Sequence, residues 1–260
     1  PMILPFYEEV KLDDGKTVAV VSFPIGISKP YVLRHSGKEE IYIRVGTTSR
    51  LATREQQMRL FELGGMLHTE VMPVPRTDMS CLDDARLMNY IRDILRDPDV
   101  PQSTEAWQAR LLGLGFLTEA AGNICCTIAG LILFGKNPRR YLKQAGLRVM
   151  AFQGDDKDYQ TALDEILDGA MVGRWDMSNG DKRLIDGGII ERFMQAMTPF
   201  ISQQSAEVNI ELRRETQWFY PLEAVREALI NALAHRDWTR FVEIEVSAYS
   251  NRLEIISPGT

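Results

Sequence analysis

Between Pro5 and Val45 short β-branched runs alternate with turns. The run at 17–23 (TVAVVSF) follows Asp13-Asp14-Gly15-Lys16, and Ile41-Tyr-Ile-Arg44-Val45 alternates apolar and polar positions before Gly46, the period-2 pattern of strands. A small sheet is predicted. Thr53-Arg54-Glu55-Gln56 has capping-box spacing, and Met58, Leu60, Phe61 and Leu63 follow as an apolar set, so a helix starts near Thr53 and weakens at Gly64-Gly65. The two prolines of Val71-Met72-Pro73-Val74-Pro75 remove donors and fix φ, which predicts a linker there.

Residues 82–95 are helical in period and stop at Asp97-Pro98, and 104–112 form a second helix ended by Gly113 and Gly115. The apolar segment 126–135 closes on Gly135, a residue suited to a helix C-terminus. These three segments predict a helical or winged-helix-like module. Residues 147–152 read as a buried strand. Ile189, Ile190, Phe193, Met194, Met197 and Ile201 recur at helical spacing ahead of the alternating Val208, Ile210 and Leu212. No self-similarity with a period of 20 to 50 residues argues for a solenoid.

The last segment is the most informative. Pro221 is tolerated in a first helical turn and Glu223 suits the positive end of the dipole. Leu222, Val225, Ala228, Leu229, Ala232 and Leu233 then define an apolar face, so a helix is predicted over 221–235. Val242, Ile244 and Val246 alternate with polar residues, and Ser250-Asn251-Arg252 turns the chain into Leu253-Glu-Ile-Ile256. The order is helix, strand, turn, strand.

Apolar residues make up 45% and charged residues 25% of the 260-residue chain, which sets aside collagen-like, low-complexity and wholly disordered classes. No stretch reaches the roughly 18 consecutive apolar residues of a membrane helix, and the first residues lack a secretory-signal layout. The expected partners therefore include no membrane, and the expected compartment is the cytoplasm. Cys81, Cys125 and Cys126 lack the spacing of a zinc site or a disulfide framework, so free thiols and no structural metal are expected. A net charge of -6 and a pI near 5.3 confine any nucleic-acid contact to a local patch. Both ends are abrupt, and the chain reads as an excised fragment.

On the last helix Glu223, Glu227, Asn231 and His235 fall four residues apart and form one polar stripe. A carboxylate one turn from an amide can do nucleotide chemistry: the amide oxygen is a hard ligand for Mg²⁺, and the carboxylate can orient and deprotonate water. The plainer reading of the same spacing is a solvated face of an amphipathic helix.

The wider string narrows the choice. Glu227-Ala-Leu-Ile-Asn231-Ala-Leu-Ala-His235-Arg236-Asp237, preceded by Tyr220-Pro221 and followed by Arg252-Leu-Glu-Ile-Ile-Ser257-Pro258-Gly259, resembles the start of the ATPase domain of bacterial and archaeal transcriptional regulators. This is the RecG-like, ATP-dependent DNA helicase-related family. That domain resembles the gyrase, heat-shock chaperone, histidine kinase and mismatch-repair (GHKL) ATPases. The resemblance implies that Glu227 is the catalytic general base and Asn231 the Mg²⁺ ligand in an ATP site that Ser257 and Gly259 border. Ile41-Tyr-Ile-Arg44-Val-Gly46-Thr-Thr-Ser-Arg50-Leu-Ala resembles the closing strand and loop of a Schlafen AlbA-type DNA-binding domain, and Leu131-Ile-Leu-Phe-Gly135-Lys-Asn-Pro138-Arg139 resembles the connecting segment of these regulators. The first half of the AlbA-type domain falls before Pro1, so no Schlafen-type nuclease carboxylates are carried over.

Two departures bear on ATP turnover. The superfamily follows this helix with a strand ending in Asp-x-Gly-x-Gly, whose Asp reads the adenine amino group, whereas Ser257-Pro258-Gly259 stands at that place here. The chain also ends before a lid or second Gly-rich loop that would supply backbone donors to phosphates. Weak nucleotide binding, or none, is expected of this stretch alone. The helicase part of the family name is not carried over, because a GHKL-like domain supplies no tandem motor.

Two other matches are rejected. Gly130-Leu-Ile-Leu-Phe-Gly135-Lys136-Asn137 imitates a phosphate loop, but four consecutive apolar residues favour burial followed by a glycine cap. His235-Arg236-Asp237 matches the tripeptide of a kinase catalytic loop without its following Asn or a D-F-G. A helix C-terminus explains it better, with His235 and Arg236 at the negative dipole end and Asp237 opening the next turn.

The candidates for DNA contact are Arg44, Arg50 and Arg54 around the hydroxyls of Thr47 and Thr48, near a helix N-terminus, with Arg139, Arg140 and Lys143 as a second cluster. A solvated surface explains the same charges. Trp218, Tyr220 and Trp238 read as packing residues rather than a base-stacking platform.

The expectation is a multi-domain α/β (α+β) chain: a β-rich AlbA-like part over 1–72, a connecting helical and α/β module over 73–215, and the start of a GHKL-like α/β sandwich over 216–260. Its expected function is a DNA-binding transcriptional regulator with an ATP- and Mg²⁺-binding domain, possible ATPase activity and a possible homodimeric assembly. The alternative is a non-enzymatic regulator or interaction scaffold whose GHKL-like domain is a sensor or dimerisation platform.

Overall fold

The computed structural model describes residues 5–23, 29–176, 183–208 and 214–259. The fold is α+β, and the chain divides into two compact units, Pro1–His68 and Thr69–Thr260. Each is described by itself.

The N-terminal unit is three hairpins and a helix. β1 (Phe6–Lys11) pairs with β2 (Thr17–Ser22), β3 (Leu33–His35) with β4 (Lys38–Glu40), and β5 (Tyr42–Val45) with β6 (Thr48–Leu51), each antiparallel. The two-residue turn between β5 and β6 starts with Gly46 at φ +59°, a conformation that a glycine adopts without a Cβ clash. Thr53 then caps α1 (Arg54–Leu63): its Oγ1 accepts the Gln56 N–H at 3.3 Å, and Gln56 Oε1 accepts the Thr53 N–H at 2.9 Å. The capping box anticipated from spacing is present. Ile41 and Ala52 are the buried apolar residues among those described in this unit.

The C-terminal unit has two cores. In the first, α2 (Asp84–Asn89) runs into a π-helical turn (Tyr90–Ile94), followed by α3 (Thr104–Gly113), the hairpin β7 (Leu117–Ala120)/β8 (Asn123–Cys126) and α4 (Ile128–Phe134). Leu82, Leu87, Leu111, Phe116, Leu131 and Phe134 fill its interior, with Tyr90, Phe116 and Phe134 rings meeting edge-on or tilted at 4.9–5.8 Å. Gly130 lies against the Phe116 carbonyl with no room for a Cβ. The segment expected to be a linker at 71–75 belongs to this core. Val74 is buried and its N–H bonds to Cys126 O at 2.8 Å, while Pro73 bridges Thr127. The prolines suit this short ladder, which asks little of their missing donors.

The second core lies on one face of a four-stranded sheet ordered β10-β9-β15-β16. Its strands are β9 (Leu147–Ala151), β10 (Leu163–Leu167), β15 (Ile244–Ala248) and β16 (Leu253–Ile256). β9 and β15 run parallel with Val149 opposite Val246, and the outer pairs are antiparallel. Between them in sequence come the ribbon β11 (Arg174–Asp176)/β12 (Arg183–Asp186), α5 (Ile189–Ile201), the ribbon β13 (Ser202–Val208)/β14 (Arg214–Trp218) and α6 (Leu222–Ala234). Phe193 and Met197 of α5 and Val225, Leu229 and Leu233 of α6 pack with Leu147, Val149, Ile244 and Val246. The division expected at 215/216 therefore does not separate folds, because strands from both sides of it share a sheet and a core. The division expected at 72/73 falls at 68/69. Val208 ends β13, whereas Ile210 and Leu212 of the expected alternating run lie outside the described residues.

Candidate functional site

α6 is built to leave one polar row outside. Pro221 precedes its first turn and Glu223 lies within it, both favourable where N–H groups are unsatisfied. Burial of Val225, Leu229 and Leu233 fixes the rotation of the helix. Glu223, Glu227, Asn231 and His235 are consequently all exposed. Ala228, expected on the apolar face, is exposed as well. Asn231 Nδ2 donates to Glu227 Oε1 at 3.2 Å. That bond orients the amide and leaves its oxygen, Oδ1, without a protein partner among the described residues. The donor set fits the reading of Mg²⁺: one neutral hard oxygen beside a carboxylate, with space around both.

The 257–259 turn is fastened to the end of the same helix. Ser257 Oγ donates to Ala232 O at 3.0 Å, the Asp237 N–H donates to Pro258 O at 2.9 Å, and Gly259 bridges Arg236. Ser257 and Gly259 thus lie by the C-terminal turn that also carries Asn231. The Ser257 hydroxyl spends its proton on the helix carbonyl.

Arg236 is a residue whose setting the sequence did not reveal. The sequence places it at the negative end of the helix dipole, and in the fold it is only 4% exposed. Its guanidinium donates to Gln144 O at 2.7 Å, Val242 O at 2.8 Å and Arg240 O at 3.2 Å, and lies 4.3 Å from the centroid of the Trp238 ring. Burial pushes its pKa down to about 10, against the opposing pull of Asp237 and Glu243. Asp237 does open a turn, accepting the Thr239 N–H at 2.9 Å and the Thr239 hydroxyl at 2.5 Å. Tyr220 and Trp238 pack against the two cores, as expected of packing residues. Trp218 is exposed instead.

The first DNA cluster is carried by the β5/β6 hairpin and the start of α1. Arg44, Thr47, Thr48, Arg50 and Arg54 are all exposed. Arg44 Nε donates to Gly46 O at 3.1 Å and Thr48 Oγ1 to Val45 O at 3.2 Å. No carboxylate pairs with Arg44, Arg50 or Arg54 among the described residues. The register sets Arg44 opposite Ser49 and Arg50 opposite Ile43. The two arginines therefore leave the ribbon on opposite faces.

The second cluster does not survive intact. Arg139 Nη2 bonds Glu243 Oε1 at 2.5 Å and Arg139 Nε donates to Lys143 O at 3.3 Å. Gly146 makes room for this guanidinium, since a Cβ there would stand 2.7 Å from Nε. Arg139 ties two parts of the fold together, and only Arg140 and Lys143 remain exposed.

No family model and no curated protein matches the chain. Among solved structures it is similar to the crystal structure of the DIP2311 protein from Corynebacterium diphtheriae, a structural genomics target, at 16% identity and a TM-score of 0.42. That match covers 98% of this chain and 45% of the other, so this chain spans less than half of that protein's length. Among the described residues no helix is long and apolar enough to cross a membrane.

Proposed function

We propose that this chain belongs to a DNA-binding transcriptional regulator in which the β5/β6 ribbon holds the nucleic acid. The observation that carries the reading is the set of exposed arginines without carboxylate partners, Arg44, Arg50 and Arg54, on an otherwise acidic chain. Residues 1–68 carry nine Lys/Arg and eight Asp/Glu, a net +1, whereas 69–260 carry 21 against 28, a net -7. The acidic excess thus lies in the C-terminal unit, and the unit that carries the ribbon is close to neutral. A two-stranded ribbon fits the width of the major groove. Arg44 and Arg50 leave opposite faces of the ribbon, so each would reach a phosphate by bending its long side chain past the ribbon's edge, and Arg54 with the α1 N-terminus offers a third contact. The test is fluorescence anisotropy of a labelled duplex. R44A/R50A/R54A is expected to lose retention and R140A/K143A to keep most of it.

The nucleotide part of the proposal rests on the Glu227–Asn231 pair. Asn231 would hold Mg²⁺ and Glu227 would orient water, with the nucleotide supplying phosphate oxygens to the metal. Titration of a fluorescent ATP analogue with and without Mg²⁺ tests it, with weak Mg²⁺-dependent saturation expected in the wild type and none in Asn231→Ala. Equal signals in both proteins would sink it. A second reading, a non-enzymatic sensor or scaffold, is favoured by one observation: Ser257 offers only a neutral hydroxyl, held against Ala232 O, where the superfamily's charged Asp accepts from the adenine amino group. This reading predicts DNA retention with no Mg²⁺-dependent nucleotide signal.

A further inference from the structure

The turn after α4, whose phosphate-loop likeness fails, lines a polar cleft of about 290 Å³ away from α6. Four other parts of the C-terminal unit complete it: Asp83 and Arg86 at the start of α2, the 168–170 loop after β10, Asp186 at the end of β12, and Arg192 in the first turn of α5. Leu82 bridges Gly135 and the Asp83 N–H donates to Phe134 O at 2.8 Å, which brings Lys136 beside Asp83. Gly169, at φ +127°, has a Cβ position only 3.0 Å from Arg192 Nη1. A side chain there would crowd the guanidinium and strain the backbone.

The charges in this cleft are held apart. Lys136 Nζ donates to Ser80 O at 2.9 Å and Arg192 Nη1 to Asp168 O at 2.6 Å. Both cations are thus anchored on neutral carbonyls, and neither has a carboxylate partner among the described residues. Among the described residues the Asp168 carboxylate accepts only its neighbour's N–H, from Gly169 at 2.7 Å. Asp83 and Asp186 share the single buried guanidinium of Arg86, at 3.5 and 2.5 Å. Two carboxylates on one cation leave an excess of negative charge on that side.

We infer that this cleft binds a small zwitterion of the amino-acid class, its carboxylate on Lys136 and Arg192 and its ammonium toward Asp168 and the Asp83/Asp186 pair. Three cations and three carboxylates line the space. An anion without a positive group would face the carboxylates, and a cation without a negative group would face Lys136, Arg192 and Arg86. A zwitterion satisfies both sets. At roughly 30 Å³ per water-sized group, the volume holds about ten such groups, the size of a free amino acid. The site is distinct from the α6 row and stands or falls separately from it.

The test is thermal shift and calorimetry on the 260-residue chain with the free L-amino acids as probes. Each binder is compared with its decarboxylated amine, its deaminated acid and inorganic phosphate. At least one amino acid is expected to bind at one site, with the amine, the acid and phosphate each at least about tenfold weaker. K136A/R192A is expected to abolish binding while the free protein still unfolds in one cooperative transition, since both side chains are exposed and each gives up one hydrogen bond to a carbonyl. Asp168→Asn keeps the shape and is expected to weaken the amino acid, whose ammonium loses its partner, and to strengthen the deaminated acid, which no longer faces that carboxylate. Absence of binding by every amino acid, equal binding of acid or phosphate, or unchanged affinity in both variants would overturn the assignment.

Discussion

Cys126 shows how completely one position can be governed by its surroundings. Its side chain is fully buried, its thiol donates to Asp78 O at 3.0 Å, and its N–H donates to Thr77 Oγ1 at 2.9 Å. Burial pushes the thiol pKa up to about 12 from its ordinary 9. The sign follows from linkage: the folded chain holds the proton more tightly than the unfolded one. The stabilisation is fully present below pH 9 and is lost as pH rises from 9 towards 12. At pH 8, iodoacetamide is expected to modify the partly exposed Cys81 first and Cys126 only as fast as the protein opens, which mass spectrometry of the alkylated peptides reads directly. Early labelling of Cys126 would contradict its burial. Other residues were misread for the same physical reason, that their partners are distant in sequence. Arg236 finds carbonyls at Gln144 and Val242, and Arg139 finds Glu243. Glu227 and Asn231 were legible because their partner is one helical turn away.

At the scale of elements, α4 depends on a glycine. Gly130 packs against the Phe116 carbonyl, and any Cβ would collide with a backbone atom that cannot swing aside. Gly130→Ala is expected to destabilise the chain by about 1–3 kcal/mol, read as a lower urea midpoint. No loss would mean that the helix sits farther from Phe116. The same contact explains why the likeness to a phosphate loop was rightly set aside: Gly130 is closed off by protein. The long periodic elements α1, α3, α5 and α6 were readable from their helical spacing, β5, β15 and β16 from alternation and turn signals, and β9 from a continuous apolar run that the structure buries almost throughout. The short ones were not. The β7/β8 hairpin turns through Ala121 at φ +51° and Gly122 at φ +74°, without the Asn-Gly or Asp-Gly pair that usually marks such a turn. Residues 71–75 carry two prolines yet pair with the end of β8, a tertiary contact that outweighs local propensity. The zwitterion cleft was invisible for a related reason, since five separate parts of the chain contribute to it.

For the molecule as a whole, the two units carry opposite net charge, and they place the two proposed activities in different parts of the chain. The N-terminal unit has few buried residues and presents its arginines on a ribbon. The C-terminal unit fuses the expected connecting module and the α6 region through one sheet, so the polar row of α6 rests on a core shared with α5, β9 and β15. The central claim is that DNA is held by the ribbon through its phosphates. The measurement that tests it most directly is the salt dependence of duplex affinity for the wild type and R44A/R50A/R54A. Three phosphate contacts predict a slope of log Kobs against log salt of about -2.7, collapsing towards zero in the triple variant. A wild-type affinity that does not respond to salt, or the same slope in both proteins, would contradict the account.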